Sequence, residues 1–321
     1  METIFINGFT PITNKDGEAI ESALTSEQFN FLGGEVHVKI KDSEPKIETT
    51  AVTIYAHANS SDDLISILLT NDALKRMGYE KIDLFMPYMP YARQDRVMVD
   101  GEPFSLKVVT DMLKSCEFHR IFVLDAHSDI TPTLLEHNIH VISNKAFVYE
   151  ALTHIVGLHG YAQNDKGVSE NEFKATLKGS PLFVSPDSGA FKKIFKLAGE
   201  LNYKDDIILC NKARNLNDGK IIAYTVDKQD LEGRDVVIID DICSKGGTFI
   251  GLAKELKKRN AGKIYLIVSH YENSSDVNSL KDSGIERVYT TPSIGKVENT
   301  IGTYGNLVTV IPFGDFIDLY D

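Results

Sequence analysis

Apolar and polar positions follow a repeating order along this chain: a short apolar run, a polar stretch, then apolar residues at helical spacing. "TAVTIYAHA" (Thr50 to Ala58) has the β-branched, apolar character of a strand. "SDDLISILLTNDALKRMG" (Ser61 to Gly78) follows, with Leu64, Ile67, Leu68, Leu74 and Met77 at spacings that share one helical face. Ser61 is expected to cap this helix, Asp62 and Asp63 favour its positive end, and Gly78 offers a stop. "KIDLFMPYMPYARQDR" (Lys81 to Arg96) predicts a buried strand running into a polar loop. "SLKVVTDMLKSC" (Ser105 to Cys116) predicts the next helix, and "RIFVLDAHSD" (Arg120 to Asp129) a strand with a polar end.

The order starts again near Pro181. "PLFVSPDSGAFKKIFKLAGEL" (Pro181 to Leu201) reads as strand, loop and helix, and "DIILCNKARN" (Asp206 to Asn215) as a strand leading into a polar loop. "VVIIDDICSKGGTFIGLAKEL" (Val236 to Leu256) gives another strand, turn and helix, and "KIYLIVSHY" (Lys263 to Tyr271) a further strand. "RVYTTPSI" and "LVTVIPF" complete a sheet. Two such blocks predict an α/β protein with two doubly wound, mainly parallel sheets, whose ligands gather at the carboxyl ends of the strands. The division is placed at residues 1–150 and 151–321. "FNFLGGEVHVKIKD" (Phe29 to Asp42) alternates at Val36, Val38 and Ile40 and predicts a hairpin. Residues 154–179 separate the blocks and suit a helix with a surface loop.

Composition narrows the function. The chain has 321 residues, 42% apolar and 25% charged, with a formal net charge of -12. That balance speaks against nucleic acid as a partner, which favours a basic stripe; "KELKKR" (Lys254 to Arg259) reads as an exposed helix face. The three cysteines, Cys116, Cys210 and Cys243, are widely spaced and form no metal-type pair, as expected of free thiols in a reducing compartment. The sequence shows neither a secretory signal nor an apolar stretch long enough to cross a bilayer, so a cytoplasmic location without membrane contact is expected.

Five polar stretches carry candidate chemistry, each with a plainer alternative. Asp240 and Asp241 follow four β-branched residues, where two carboxylates can orient sugar hydroxyls or hold a divalent cation. The turn Ser244, Lys245, Gly246, Gly247, Thr248 can offer backbone amides to a phosphate at a helix start; a surface turn with an Asp cap is the alternative. In "PYARQDR", Arg93 and Arg96 can grip phosphate oxygens and Gln94 read a base or ribose, unless the loop is a surface ion-pair cluster. His127, flanked by Asp125 and Asp129, can ligate metal or contact phosphate, against a structural or solvated histidine. Asp187 in "SPDSGA" precedes an anion-cradling backbone or simply caps a helix. Lys212 and Arg214, two apart on an expected loop from Asn211 to Lys220, point to one side if extended, for polyphosphate closure or for solubility.

The ordered set "FLGGEV", "PYMPYARQDR", "LDAHSD", "VSPDSGA", "NKARN" and "VVIIDDICSKGGT" resembles the ribose-phosphate pyrophosphokinase family, over roughly residues 28–315. The resemblance implies two related phosphoribosyltransferase-type domains, an enzyme working with Mg²⁺, and a homo-oligomer, a hexamer of dimers. It implies transfer of the β,γ-diphosphate of ATP to the anomeric hydroxyl of ribose 5-phosphate, giving phosphoribosyl pyrophosphate and AMP. By position, the first domain would carry ATP on Phe31, Glu35, Arg93, Gln94 and Arg96. His127 and Asp187 would serve magnesium, and Lys212, Arg214 and His127 would be catalytic. The second domain would hold the sugar phosphate on Asp240, Asp241 and residues 244 to 248.

The sequence also departs from the family's usual pattern. Ser244-Lys245 stands where Asp-Thr is common, Gly33 where an Asp precedes Gly-Glu, and Ala213 where another arginine is usual. Lys245 makes the sugar-phosphate turn more positive, which suits a more highly charged 5-substituent. ADP-ribose is therefore an alternative acceptor, giving a diphosphate-activated ADP-ribose for nicotinamide nucleotide (NAD) synthesis or salvage. A phosphoribosyltransferase and a non-catalytic regulatory subunit are the remaining alternatives. AMP formation from ATP and a sugar phosphate separates the enzyme from both.

Overall fold

The computed structural model of this chain describes residues 2–9, 20, 22, 24–42, 50–157, 181–214, 221–272, 277–295 and 307–317. The chain divides into two compact units, Met1–Ser143 with Ser293–Gly295, and Asn144–Pro292 with Lys296–Ile317.

The first unit is built on a parallel sheet of five strands among the described residues, in the order β1-β4-β5-β6-β7. These are β1 (Glu2–Ile6), β4 (Ala51–Ala56), β5 (Lys81–Phe85), β6 (Arg120–Leu124) and β7 (Ile139–Ile142). β1 was not foreseen; five residues without clear alternation gain their strand identity by pairing with β4, Glu2 opposite Val52. Helix α1 (Ser61–Met77) starts one residue earlier than the expected cap requires. Ser60, extended at φ -140°, accepts the Asp63 amide, and Ser61 is already helical. Gly78, at φ 100°, closes the helix by donating to Leu74 and Lys75, a conformation side chains resist. Leu64, Ile67 and Leu74 are buried in the unit's core, with Leu68 and Met77 packed against it. Burial of each such leucine or isoleucine contributes about 1.5–3 kcal/mol. Helix α2 (Ser105–Ser115) and the short α3 (Ile130–Leu135) complete the unit, with the hairpin β2 (Leu24–Asn30) and β3 (Val36–Asp42). The hairpin is antiparallel, Asn30 opposite Val36, as its alternation predicts.

The second unit has seven strands among the described residues, in the order β10-β9-β8-β11-β12-β13-β14. They are β8 (Leu182–Ser185), β9 (Ile208–Arg214), β10 (Ile221–Val226), β11 (Val236–Cys243), β12 (Ile264–Tyr271), β13 (Ile285–Thr290) and β14 (Val308–Val310). All neighbours are parallel except β9 and β10. Helices α4 (Lys145–Ile155), α5 (Ser188–Glu200), α6 (Gly247–Lys258) and α7 (Val277–Asp282) flank the sheet. Val236 and Ile238 belong to one core cluster with Phe249, Leu252 and Leu256 of α6. Val237 and Ile239 belong to another with Ile194 and Leu197 of α5 and Phe147 of α4. An unbroken apolar run is thus what a strand covered on both faces demands. From residue 158, the stretch at 154–179 lies outside the described residues.

The loop expected from Asn211 is corrected for its first four residues. Lys212 and Arg214 belong to β9, because antiparallel pairing with β10 supplies the backbone partners that a polar sequence does not advertise. Residues 215–220 lie outside the described residues. β11 likewise runs on to Cys243, so Asp240 and Asp241 sit inside the strand and not beyond it.

Candidate functional site

In the first unit, the loops after β5 and β6 are joined by Asp95. This carboxylate is only 6% exposed and lies 2.9 Å from Arg96 Nε. Arg96, with the Ser128 hydroxyl and the charge of His127, holds it below the ordinary carboxylate range against the upward pull of burial. The ion-pair alternative for "PYARQDR" is thus realised at Arg96. Gln94 fastens its loop to α2: its side-chain oxygen accepts from the Ser105 hydroxyl at 2.6 Å, and its carbonyl from the Leu106 amide at 3.2 Å. Arg93 is exposed, with no ion pair among the described residues. His127 is half-buried just past β6. The backbone at Asp125 is left-handed at φ 43°, and its amide donates to Ile142 of β7.

The hairpin tip presents Phe31, 53% exposed, edge-on to Phe29 with centroids 5.0 Å apart and near the His37 ring. Glu35 folds over the turn. Its Oε2 lies 2.6 Å from where a Cβ at Gly33 would stand, so the side chain missing at this position leaves room for the Glu35 carboxylate.

In the second unit, the strand order reverses between β8 and β11, the kind of switch point where open α/β sheets form a crevice. Asp187 follows β8 and caps α5, its Oδ1 accepting from the Ala190 amide at 3.0 Å. Its Oδ2 lies 2.7 Å from Lys212 Nζ, reached from β9. Burial pushes the Asp187 carboxyl up, but Lys212 and the Ala190 and Gly189 amides outweigh it and hold it below its ordinary value. Asp240, from β11, has no such countercharge among the described residues. Burial, the adjoining Asp241 and then the charge of Asp187 drive its carboxyl well above the ordinary value. Asp240 Oδ1 also accepts from the Asp241 amide at 3.0 Å, and Asp241 is buried.

The turn beyond β11 has the form an anion requires. Gly246 is left-handed at φ 72° and caps α6 without a side-chain hydrogen bond, so the first amides of the helix remain presented. Lys245 is exposed in this turn, held by no ion pair among the described residues, and Ser244 and Thr248 are half-buried. Arg214 stands at the end of β9, two residues past Lys212.

The second unit therefore gathers Asp187, Lys212, Asp240 and Asp241 at one switch point, followed by an amide-bearing turn. Sequence reasoning named these residues but not the burial of Asp95 or its link to Ser128. Its signal was weak, an aspartate flanked by polar residues in a loop. No group of three or more histidine, cysteine or acidic side chains suited to holding a metal occurs among the described residues. A protein-only cage is thus absent among them. Magnesium more often takes one or two carboxylates with substrate phosphates and water. The half-buried Asp240, which feels the charge of Asp187 and has no countercharge among the described residues, fits that chemistry, because a dication would relieve their repulsion.

Paired α/β units with an acidic strand end and an amide turn at a switch point define a phosphoribosyltransferase-type protein. Residues 19–116 match the family model for the N-terminal domain of ribose phosphate pyrophosphokinase, and residues 167–296 that for the phosphoribosyl transferase domain. The ribose-phosphate pyrophosphokinase of Thermococcus kodakarensis is 28% identical over 282 residues, 88% of each chain. That of Pyrococcus furiosus is 28% identical over 301 residues, 92% of this chain and 94% of the relative. The crystal structure of phosphoribosylpyrophosphate synthetase from Mycobacterium smegmatis superposes with a TM-score of 0.71 at 21% identity, covering 98% of this chain and 94% of that one. The chain belongs to the ribose-phosphate pyrophosphokinase family, as a divergent member.

Among the described residues no helix is long and apolar enough to cross a membrane.

Proposed function

We propose that the protein transfers the β,γ-diphosphate of ATP to the anomeric hydroxyl of ribose 5-phosphate, releasing AMP. The observation that carries this reading is the Lys212–Asp187 pair at 2.7 Å beside the protonation-prone Asp240. The pair supports the reading because it sets an ammonium group beside carboxylates of the kind that serve a dication, the equipment a polyphosphate needs. Asp240 and Asp241 hold the ribose hydroxyls, and Ser244 to Thr248 take the 5-phosphate on backbone amides. ATP is assigned to Phe31, Glu35, Arg93, Gln94 and Arg96 of the first unit.

The attacking hydroxyl oxygen forms a bond to the β-phosphorus as the bond to the α-phosphate oxygen breaks. AMP leaves with that electron pair, and the hydroxyl proton passes to solvent or to a neighbouring base. Lys212 and Arg214 offset the negative charge that spreads over the phosphoryl oxygens. Asp187 would hold Mg²⁺ in the second unit and His127 is assigned the same task in the first; the metal supplies charge neutralisation on the phosphates. His127 also remains assigned as a catalytic contact to phosphate. A homo-oligomer, a hexamer of dimers, is proposed from the family and is tested by light scattering.

A second reading has its own support. Lys245 is exposed in the sugar-phosphate turn with no ion pair among the described residues, where it can meet a second phosphate. The acceptor would then be a 5-substituted ribose such as ADP-ribose. The test supplies ATP and Mg²⁺ with ribose 5-phosphate or ADP-ribose in parallel, read by phosphorus NMR and AMP release. AMP with ribose 5-phosphate supports the first reading, and AMP with ADP-ribose alone supports the second. No AMP with either sinks both. Lys245→Thr should reduce the use of ADP-ribose selectively if the second reading holds.

A further inference from the structure

Tyr224 lies outside every motif considered so far, yet it touches two parts of the second unit's site. It stands on β10 directly opposite Lys212 of β9, and cross-strand partners in an antiparallel pair project to the same face. Its hydroxyl donates to the carbonyl of Gly247 at 3.2 Å, at the first residue of α6. The ring lies against Gly251, one helical turn on; a Cβ there would overlap the ring and the hydroxyl. Gly251 is thus the position that admits the tyrosine.

We infer that Tyr224 is a positioning residue that sets the anion-binding turn in register with Lys212, an inference that rests on the proposed sugar-phosphate role of that turn. The physical link is the peptide plane between Gly247 and Thr248. In a trans peptide the carbonyl and the following N–H point in opposite directions. Holding the Gly247 carbonyl toward β10 therefore aims the Thr248 amide the other way, toward the open end of the helix where an anion is favoured. The same side chain ties that end of α6 to the strand pair bearing Lys212. Without the hydroxyl, the first turn of α6 gains freedom to tilt, and the Thr248 amide and the lysine lose their fixed spacing.

The test combines Tyr224→Phe, which keeps the ring against Gly251, with Gly251→Ala, which displaces the ring. Inorganic phosphate binding is measured by calorimetry, steady-state constants by AMP release, and folding by thermal melts. Tyr224→Phe should weaken phosphate binding and raise KM for the phosphorylated acceptor about three- to tenfold, the range one neutral hydrogen bond supports. KM for ATP and the melting temperature should stay close to wild type. Gly251→Ala should weaken phosphate binding at least as much in wild type, and add little in the Tyr224→Phe background. The inference is overturned if Tyr224→Phe shifts phosphate affinity less than twofold. It is equally overturned if both substrates weaken alike along with the melt, the mark of a merely structural tyrosine. If wild type binds phosphate but never releases AMP, the transfer reading fails while the calorimetric arm still decides the role of Tyr224.

Discussion

Replacing Lys212 by alanine tests the centre of the site. The lysine's ion pair with Asp187 is neither surface nor core: the two side chains are 19% and 28% exposed. Exposed pairs contribute under about 1 kcal/mol, and stripping one partner from a buried pair costs about 3–5 kcal/mol. An intermediate cost of about 1–2 kcal/mol follows. For a unit of this size that lowers Tm by roughly 2–8 °C. The pH dependence has a defined sign. Asp187 is held below its ordinary value of 3.8, so its stabilising contribution is present above that pH and lost as pH falls through the lower folded value. The Tm deficit of Lys212→Ala should therefore be full at pH 7 and shrink below about pH 4. Turnover should fall further than stability, by about 10²–10³-fold, because the charge is needed where phosphoryl oxygens gain negative charge. AMP release at saturating substrates, with melts across pH, provides the measurement. Asp187→Asn is the companion, since asparagine still caps α5 while removing the charge. Turnover of Lys212→Ala within about threefold of wild type would refute the reasoning, as would a Tm deficit that is the same at pH 3 and pH 7.

Asp240→Asn should raise the Tm of the ligand-free protein at pH 7 and abolish acceptor binding. The raised carboxyl binds a proton in the folded state that the unfolded chain has shed, so it costs stability once pH climbs above 3.8, and the gain should disappear below that pH. Mg²⁺ with a diphosphate should stabilise wild type in the same melts and stabilise Asp240→Asn less; equal stabilisation would remove Asp240 from the cation's neighbourhood. Ser60→Ala should lose about 1 kcal/mol in denaturant unfolding by freeing the Asp63 amide, while Ser60→Asp should retain stability. A larger loss at Ser61→Ala would restore Ser61 as the cap.

Much of the architecture follows from local patterns. Val236 to Ile239 had to be a strand covered on both faces, since four consecutive β-branched residues leave no solvent side. Leu64, Ile67 and Leu74 set the buried face of α1, and the Phe29 to Asp42 alternation set a hairpin. Short ordered motifs were enough to indicate the family, because glycines, acids and basic residues at turns are chosen by ligand chemistry. What the local sequence could not state was pairing between distant segments. β1 and the β9–β10 edge exist because backbone groups found partners some fifty or ten residues away, and polar "NKAR" carries no sign of that.

The site shows the same division. Residue types at Asp187, Lys212 and Asp240 announce charge and phosphate, because carboxylates and ammonium groups carry that chemistry wherever they lie. Only the tertiary structure decided that Asp187 is countered by Lys212 while Asp240 is left to repel its neighbours, and that Asp95 is buried against Arg96 and Ser128. It also decided that Tyr224 meets Gly247 across a glycine. Protonation and orientation depend on distances to groups far off in the chain, and on how much water each keeps. Sequence fixes the identity of those groups, and folding sets their separations.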